Sequence, residues 1–189
     1  LLLLLLMSGL VATAPAAQAA GVRYLDEVFA AVTETPDQVY GMAIGEFGLE
    51  ALQYDLYEPA GDTLEQRPAV IYVHGGYFHP SLGNRKSPDS LNVSRALARR
   101  GYVVISIDYR VYSGGLTDPA RLAKAIPAAL ADSQTAVRFL RAKAGPLRLH
   151  TDAIAIGGYS AGAFNAIGVS NLSANPVSPQ SASSSGWRQ

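Results

Sequence analysis

One serine of the chain lies in a setting that suits nucleophilic chemistry. Ser160 is the centre of the motif G-Y-S-A-G at 158–162, which follows the apolar run Ala153–Ile156. No helix breaker follows until Gly168, so the order predicts a strand, a sharp turn and a helix. Side chains two residues before or after such a serine would collide with neighbouring backbone, which explains the two glycines. The motif predicts a nucleophile at Ser160, and an ordinary glycine-rich turn is the alternative.

A second motif could supply hydrogen-bond donors to a negatively charged oxygen. The segment H-G-G-Y-F at 74–78 directly follows the apolar run Ala69–Val73. Adjacent glycines let backbone N–H groups point into a site, and the N–H of Ala161 begins a helix, where an anion is favoured. Both motifs should lie at the carboxyl ends of strands, which open on one edge of a doubly wound sheet. Together they predict an acyl-transfer site.

The strands that must hold these motifs follow from hydrophobic patterning. Residues 21–36 read as a mixed, weakly helical lead-in. Alternation in the second predicted strand indicates a half-exposed position at a sheet margin, whereas the next three runs are typical of buried parallel strands. The predicted strands are Val39–Ile44, Leu52–Tyr57, Ala69–Val73, Tyr102–Ile107 and Ala153–Ile156.

Three helices alternate with the last three strands. Ser87-Pro88 and Asp118-Pro119 each offer a cap and a first-turn proline, and Pro127 predicts a kink or restart in the second helix. The third helix follows Ser160. This order predicts an α/β fold with a doubly wound, mostly parallel sheet and an antiparallel margin.

Composition excludes several classes of protein. The 189 residues are enough for one domain, and 15 basic residues balance 15 acidic ones, so nothing indicates nucleic acid as a partner. The chain has no cysteine, which excludes disulfides and thiolate catalysis. His74, His79 and His150 are not at metal-ligand spacing. We therefore expect no metal and no cofactor.

The two ends of the chain differ from the rest. Leu1–Leu6 and the A-Q-A at 17–19 are typical of a secretory signal peptide over residues 1–19, which predicts a secreted or periplasmic protein. Polar residues and a proline interrupt the apolar run before the roughly 18 residues of a membrane span, so we expect no stable membrane insertion. A basic start and an initiator methionine are missing. Residues 20–172 read as the folded domain, and the Ser/Pro-rich residues 173–189 as a disordered tail.

In their order along the chain, these motifs resemble the α/β-hydrolase superfamily, in particular its carboxylesterase/lipase branch with an H-G-G oxyanion loop. Four stretches between about Val39 and Leu172 carry the resemblance: D-L-Y-E-P at 55–59, H-G-G at 74–76, D-Y-R at 108–110 and G-Y-S-A-G at 158–162. The resemblance implies the α/β-hydrolase fold and a serine hydrolase of small carboxylic esters that needs no cofactor.

The resemblance also implies roles for particular residues. Ser160 is implied as the nucleophile, with the N–H groups of Ala161, Gly76 and Tyr77 as oxyanion donors and Gly75 shaping their loop. The family often has a third glycine at the position of Tyr77, so this side chain is expected to narrow the acyl pocket.

Three polar residues near the loop have structural roles by the same resemblance. His74 is implied to orient the oxyanion loop and not to act as the catalytic base. Asp108 and Arg110 are expected to form a salt bridge behind that loop.

The chain departs from the family after the nucleophile. In this fold the acid and the histidine follow the serine, yet residues 161–189 contain no Asp, Glu or His. A catalytic role for His79, just past the oxyanion loop, would be a new geometry for the fold. We therefore expect the sequence to be truncated before the last strands and inactive as printed, with Ala153–Ile156 left as an edge strand without charge or proline.

Two other functions remain open from the sequence. A peptidase or amidase of the same superfamily would use the same oxyanion machinery. A non-catalytic binding protein on the hydrolase scaffold would lack the acid and the base, although the intact motif around Ser160 disfavours it.

Overall fold

The computed structural model describes residues 21–172, which form five strands and three helices. The expected signal peptide and the expected tail lie outside these residues. The strands are β1 (Val32–Gly45), β2 (Gly48–Pro59), β3 (Arg67–Val73), β4 (Val103–Ile107) and β5 (Leu149–Gly158). The helices are α1 (Pro88–Arg99), α2 (Pro119–Ala142) and α3 (Ala161–Leu172).

The five strands form one mixed sheet in the order β1-β2-β4-β3-β5. β2 is antiparallel to both β1 and β4, whereas β3 is parallel to β4 and β5. Ile71 in β3 lies opposite Ile105 in β4 and Ile156 in β5. The predicted α/β fold with its antiparallel margin is confirmed, and β5 is an edge strand of the described sheet.

The buried strands are apolar on both faces, and helices therefore pack on both faces of the sheet. Ala69, Ile71 and Val73 of β3 belong to the core that includes α2 residues, and the alternate residues Val70 and Tyr72 pack with α1. The sheet is therefore doubly wound, with α1 on one face and α2 on the other. Ala161 of α3 belongs to the α2-side core. The motif-bearing ends of β3 and β5 thus lie side by side at one edge of the sheet.

The amino-terminal strands differ from the prediction. Residues 21–31 contain turns and no helix, and β1 begins at Val32, opposite Pro59 of β2. β2 is not a half-exposed margin strand, because it lies between β1 and β4 and its second face is also covered. Tyr57 packs with α1, and Asp55 accepts a hydrogen bond from the side chain of Arg85.

Other boundaries also depart from the prediction. α2 runs unbroken through Pro127, with the side chain of Asp118 capping its first turn by accepting from the N–H of Ala120 at 2.9 Å. Ser87 makes no side-chain cap. β5 starts at Leu149, before the predicted Ala153, so His150 and Asp152 belong to the edge strand. The edge strand is therefore longer than predicted, and its first half carries charge that the predicted segment Ala153–Ile156 lacks.

Candidate active site

Ser160 lies at a strained turn between β5 and α3. Its φ angle is 52°, in the left-handed region that costs a non-glycine residue about 1–2 kcal/mol. The N–H of Gly162 donates to the carbonyl oxygen of Tyr159 at 2.9 Å and closes the turn. The serine is exposed above the sheet, which is the geometry of a nucleophile elbow.

The two glycines of the elbow are required by close packing. A Cβ atom on either Gly158 or Gly162 would overlap the carbonyl oxygen of Val73, the last residue of β3. The elbow and the first turn of α3 therefore lie directly against the end of the neighbouring strand. The predicted collision of side chains at these two positions with backbone is confirmed.

The segment after β3 contacts the elbow. A Cβ on Gly75 would lie 3.3 Å from the Cβ of Ser160 and 3.0 Å from the carbonyl oxygen of Tyr159. The two sequence motifs are thus adjacent in space, as their positions at the ends of parallel strands predicted.

The carbonyl oxygens of Gly75 and Gly76 accept hydrogen bonds on the side of the loop opposite to the candidate N–H donors. The Gly75 oxygen lies 2.6 Å from Nδ1 of His74, and the Gly76 oxygen accepts from the N–H of His79 at 2.9 Å. In a trans peptide the C=O and the next N–H point in opposite directions. The N–H groups of Gly76 and Tyr77 therefore point away from these partners, and neither donates a hydrogen bond within residues 21–172.

The loop turns on two residues in the left-handed region. Tyr77 has a φ of 54° and Phe78 a φ of 57°, and they are the central residues of the turn that the bond from His79 to Gly76 closes. Two non-glycine residues in this region cost about 1–3 kcal/mol each. The family's frequent third glycine would remove that cost at Tyr77. Here the side chain of Tyr77 is exposed, whereas Phe78 is buried.

His74 is buried beneath the loop and holds it. Its ring stacks on Tyr109 with the centroids 4.3 Å apart, and the Tyr109 hydroxyl donates to the His74 carbonyl oxygen at 3.0 Å. Burial lowers the pKa of His74, which favours the neutral ring. Because a carbonyl can only accept, Nδ1 carries the proton that bonds to Gly75. These contacts are the ones that a loop-orienting residue must make.

The predicted salt bridge between Asp108 and Arg110 is wrong, because the two side chains turn to opposite faces of the sheet. Asp108 pairs with the side chain of Arg85, in the loop before α1. Arg110 pairs with Asp132 of α2, Nη2 to Oδ1 at 2.7 Å. Asp108 therefore connects the end of β4 to the loop before α1, and Arg110 connects it to α2.

Two buried arginines beside the candidate site were missed by the sequence reasoning. Arg85 binds Asp37, Asp55 and Asp108 behind the loop, and its place in a polar segment carried no sequence signal. Arg121 lies in the first turn of α2, where a cation opposes the helix dipole. That unfavourable position was a signal that could have drawn attention to it.

No side chain among the described residues 21–172 is hydrogen-bonded to the hydroxyl of Ser160. Nδ1 of His79 lies 2.9 Å from the hydroxyl of Ser81 and 3.2 Å from its backbone nitrogen. In the same range there is no group of three or more metal-binding side chains, and no helix is long and apolar enough to cross a membrane.

The sheet order, the covered faces and the strained serine turn are those of an α/β hydrolase. The chain belongs to the BD-FAE family, whose model matches residues 54–177. A comparison with curated protein sequences gives no match.

Solved structures of esterases share the fold. A hyperthermophilic esterase from the archaeon Pyrobaculum calidifontis is 28% identical, with a TM-score of 0.54 over 77% of this chain and 40% of that one. A thermostable carboxylesterase cloned from a metagenomic library is 28% identical, with a TM-score of 0.53 over 78% and 42%. A bacterial brefeldin A esterase, 19% identical with a TM-score of 0.57 over 88% and 39%, supports the fold alone. The chain thus spans about 40% of the length of these proteins.

Proposed function

We propose that this chain carries the nucleophile and the oxyanion hole of a serine hydrolase that cleaves small carboxylic esters. The observation that carries the proposal is the strained, exposed Ser160, with the backbone of Gly75 packed against it. The similarity to solved carboxylesterases supports an ester as the substrate class.

The proposed reaction follows from the positions of these groups. The hydroxyl oxygen of Ser160 attacks the ester carbonyl carbon, and the carbonyl oxygen becomes negatively charged. The N–H groups of Gly76, Tyr77 and Ala161 donate to that oxygen, and the amino terminus of α3 adds a favourable dipole. The alcohol then leaves, and water hydrolyses the acyl-enzyme to release the acid.

The reaction also needs a base to take the serine proton and to return it to the alcohol. In this fold the acid and the histidine follow the nucleophile in the chain. Residues 161–189 contain no Asp, Glu or His. The proposal therefore requires an acid and a base from outside that segment, and it is tested on the protein expressed from the full reading frame.

The decisive variant is Ser160→Ala, assayed with short p-nitrophenyl esters. Loss of a triad nucleophile usually lowers kcat by several orders of magnitude, and the variant should remain folded. Ser113→Ala, a change at an exposed serine in the loop after β4, is the matched control and should keep full activity. If Ser160→Ala kept more than about a tenth of the wild-type rate, Ser160 would not be the nucleophile. Matched p-nitroanilides, assayed in parallel, separate an esterase from an amidase.

A further inference from the structure

Arg121 differs from the other buried arginines in the described part of the chain. Three of them pair with a carboxylate: Arg67 with Glu58, Arg85 with Asp55, and Arg110 with Asp132. Arg121 is only 4% exposed, yet it forms no ion pair with any residue that the structure describes. Burying a cation without a countercharge is costly unless its hydrogen bonds are satisfied. Its contacts therefore require an explanation.

All five N–H donors of the Arg121 guanidinium bond to main-chain carbonyl oxygens. A guanidinium has five such donors in a rigid plane, so none is left over. The acceptors are the carbonyl oxygens of Gly115 (from Nε, 3.0 Å), Phe78 and Tyr112 (from Nη1, 2.9 and 3.2 Å), and Tyr77 and Leu116 (from Nη2, 3.0 and 2.7 Å). The side chain thus joins the candidate oxyanion loop to the segment before α2.

We propose that Arg121 is a positioning residue that holds the oxyanion loop in its donor geometry, an inference that rests on the proposed function. The carbonyls of Tyr77 and Phe78 both point at the guanidinium, which fixes the peptide planes that follow these two residues. Both residues have positive φ, and such conformations persist only where the surroundings over-determine them. The N–H of Tyr112 donates to the same Phe78 oxygen at 3.1 Å and reinforces the arrangement.

The peptides that Arg121 holds do not themselves carry the candidate donors, because their N–H groups belong to Phe78 and His79. The His79 N–H donates to the Gly76 oxygen at 2.9 Å. Through this bond Arg121 also holds the plane of the Gly76–Tyr77 peptide, and with it the direction of the Tyr77 N–H that is proposed to face the developing charge. In the first turn of α2 the same cation opposes the helix dipole, so its position is not explained by the stability of that helix.

The test uses Arg121→Lys and Arg121→Gln in the protein from the full reading frame. Lysine keeps the charge but cannot reach five carbonyls, so both variants should lower kcat by about 10²-fold with KM changed less than about threefold. Arg67→Lys is the matched control, because Arg67 is equally buried and lies at the opposite end of β3. It should lower Tm and leave kcat/KM unchanged.

A second readout separates positioning from stability. In Arg121→Ala, added ethylguanidinium should restore part of kcat, while Arg67→Ala should show no such rescue. The proposal is overturned if Arg121→Lys keeps kcat and only loses Tm as Arg67→Lys does, or if it fails to fold while Arg67→Lys folds. If the wild type has no esterase activity, the proposed function fails on its own. Hydrogen exchange at the His79 amide, which should lose protection in Arg121→Lys, then still decides whether Arg121 holds the loop.

Discussion

Replacing Gly162 by alanine has two opposite effects: it raises the helix propensity of α3, and it disturbs the packing of the elbow. Gly162 is the second residue of α3, and alanine in place of glycine stabilises a helix interior by about 1 kcal/mol. A Cβ at this position would overlap the carbonyl oxygen of Val73. It would also lie 2.6 Å from the Val73 carbonyl carbon and 2.8 Å from the His74 oxygen. All three atoms are main chain, so α3 or the end of β3 must move.

The geometry sets the expected magnitude. Carbon atoms pack at roughly 3.5–4.0 Å, so relief of a 2.6 Å contact requires a shift of about 1 Å. Overpacking costs about 1–3 kcal/mol, and an obstacle of backbone belongs at the upper end of that range. After the gain in helix propensity, Gly162→Ala should destabilise the protein by about 2 kcal/mol. The same shift moves Ser160 relative to the proposed oxyanion donors and should lower kcat/KM by about 10²-fold.

The assay is urea unfolding together with p-nitrophenyl ester kinetics on the protein from the full reading frame. Gly168→Ala is the matched control in the same helix. Its Cβ would meet a methyl group at the tip of the Leu130 side chain, which can rotate away, so activity should be kept. If Gly162→Ala were stabilised by about 1 kcal/mol and fully active, the close packing of the elbow against β3 would be refuted.

Burial lowers the pKa of His74 below its ordinary value of 6.5. As the pH falls through 6.5, the unfolded chain therefore binds a proton at this histidine more readily than the native protein does, and the free energy of unfolding decreases. In urea unfolding between pH 7 and 5, His74→Gln should lose less stability with falling pH than the wild type, whereas His150→Gln, at an exposed residue, should behave like the wild type. If the free energy of unfolding fell equally with pH in the two variants, the role given to His74 would be wrong. The 189-residue chain expressed alone should bind ANS, because Tyr159, Phe164 and Ile167 are 68%, 72% and 62% exposed beside the edge strand β5. A sharp unfolding transition without ANS binding would show that this surface is covered.

The elbow and the fold class could be predicted from the sequence because their causes are local. An apolar run before G-Y-S-A-G requires a strand that ends in a tight turn, and close approach to backbone excludes side chains at Gly158 and Gly162. The alternation of strands and helices then limited the topology, since successive parallel strands need a crossover between them. The adjacency of Gly75 and Ser160 follows from that topology.

Only the tertiary structure decided which polar groups meet behind the site. Periodicity indicates which face a residue occupies, but not its partner on another element. Asp108 and Arg110 are two residues apart in sequence, yet their partners Arg85 and Asp132 lie on opposite faces of the sheet. The bonds from Arg121 to the candidate oxyanion loop likewise join residues more than forty positions apart, because packing of α2 on the sheet brings its first turn against that loop.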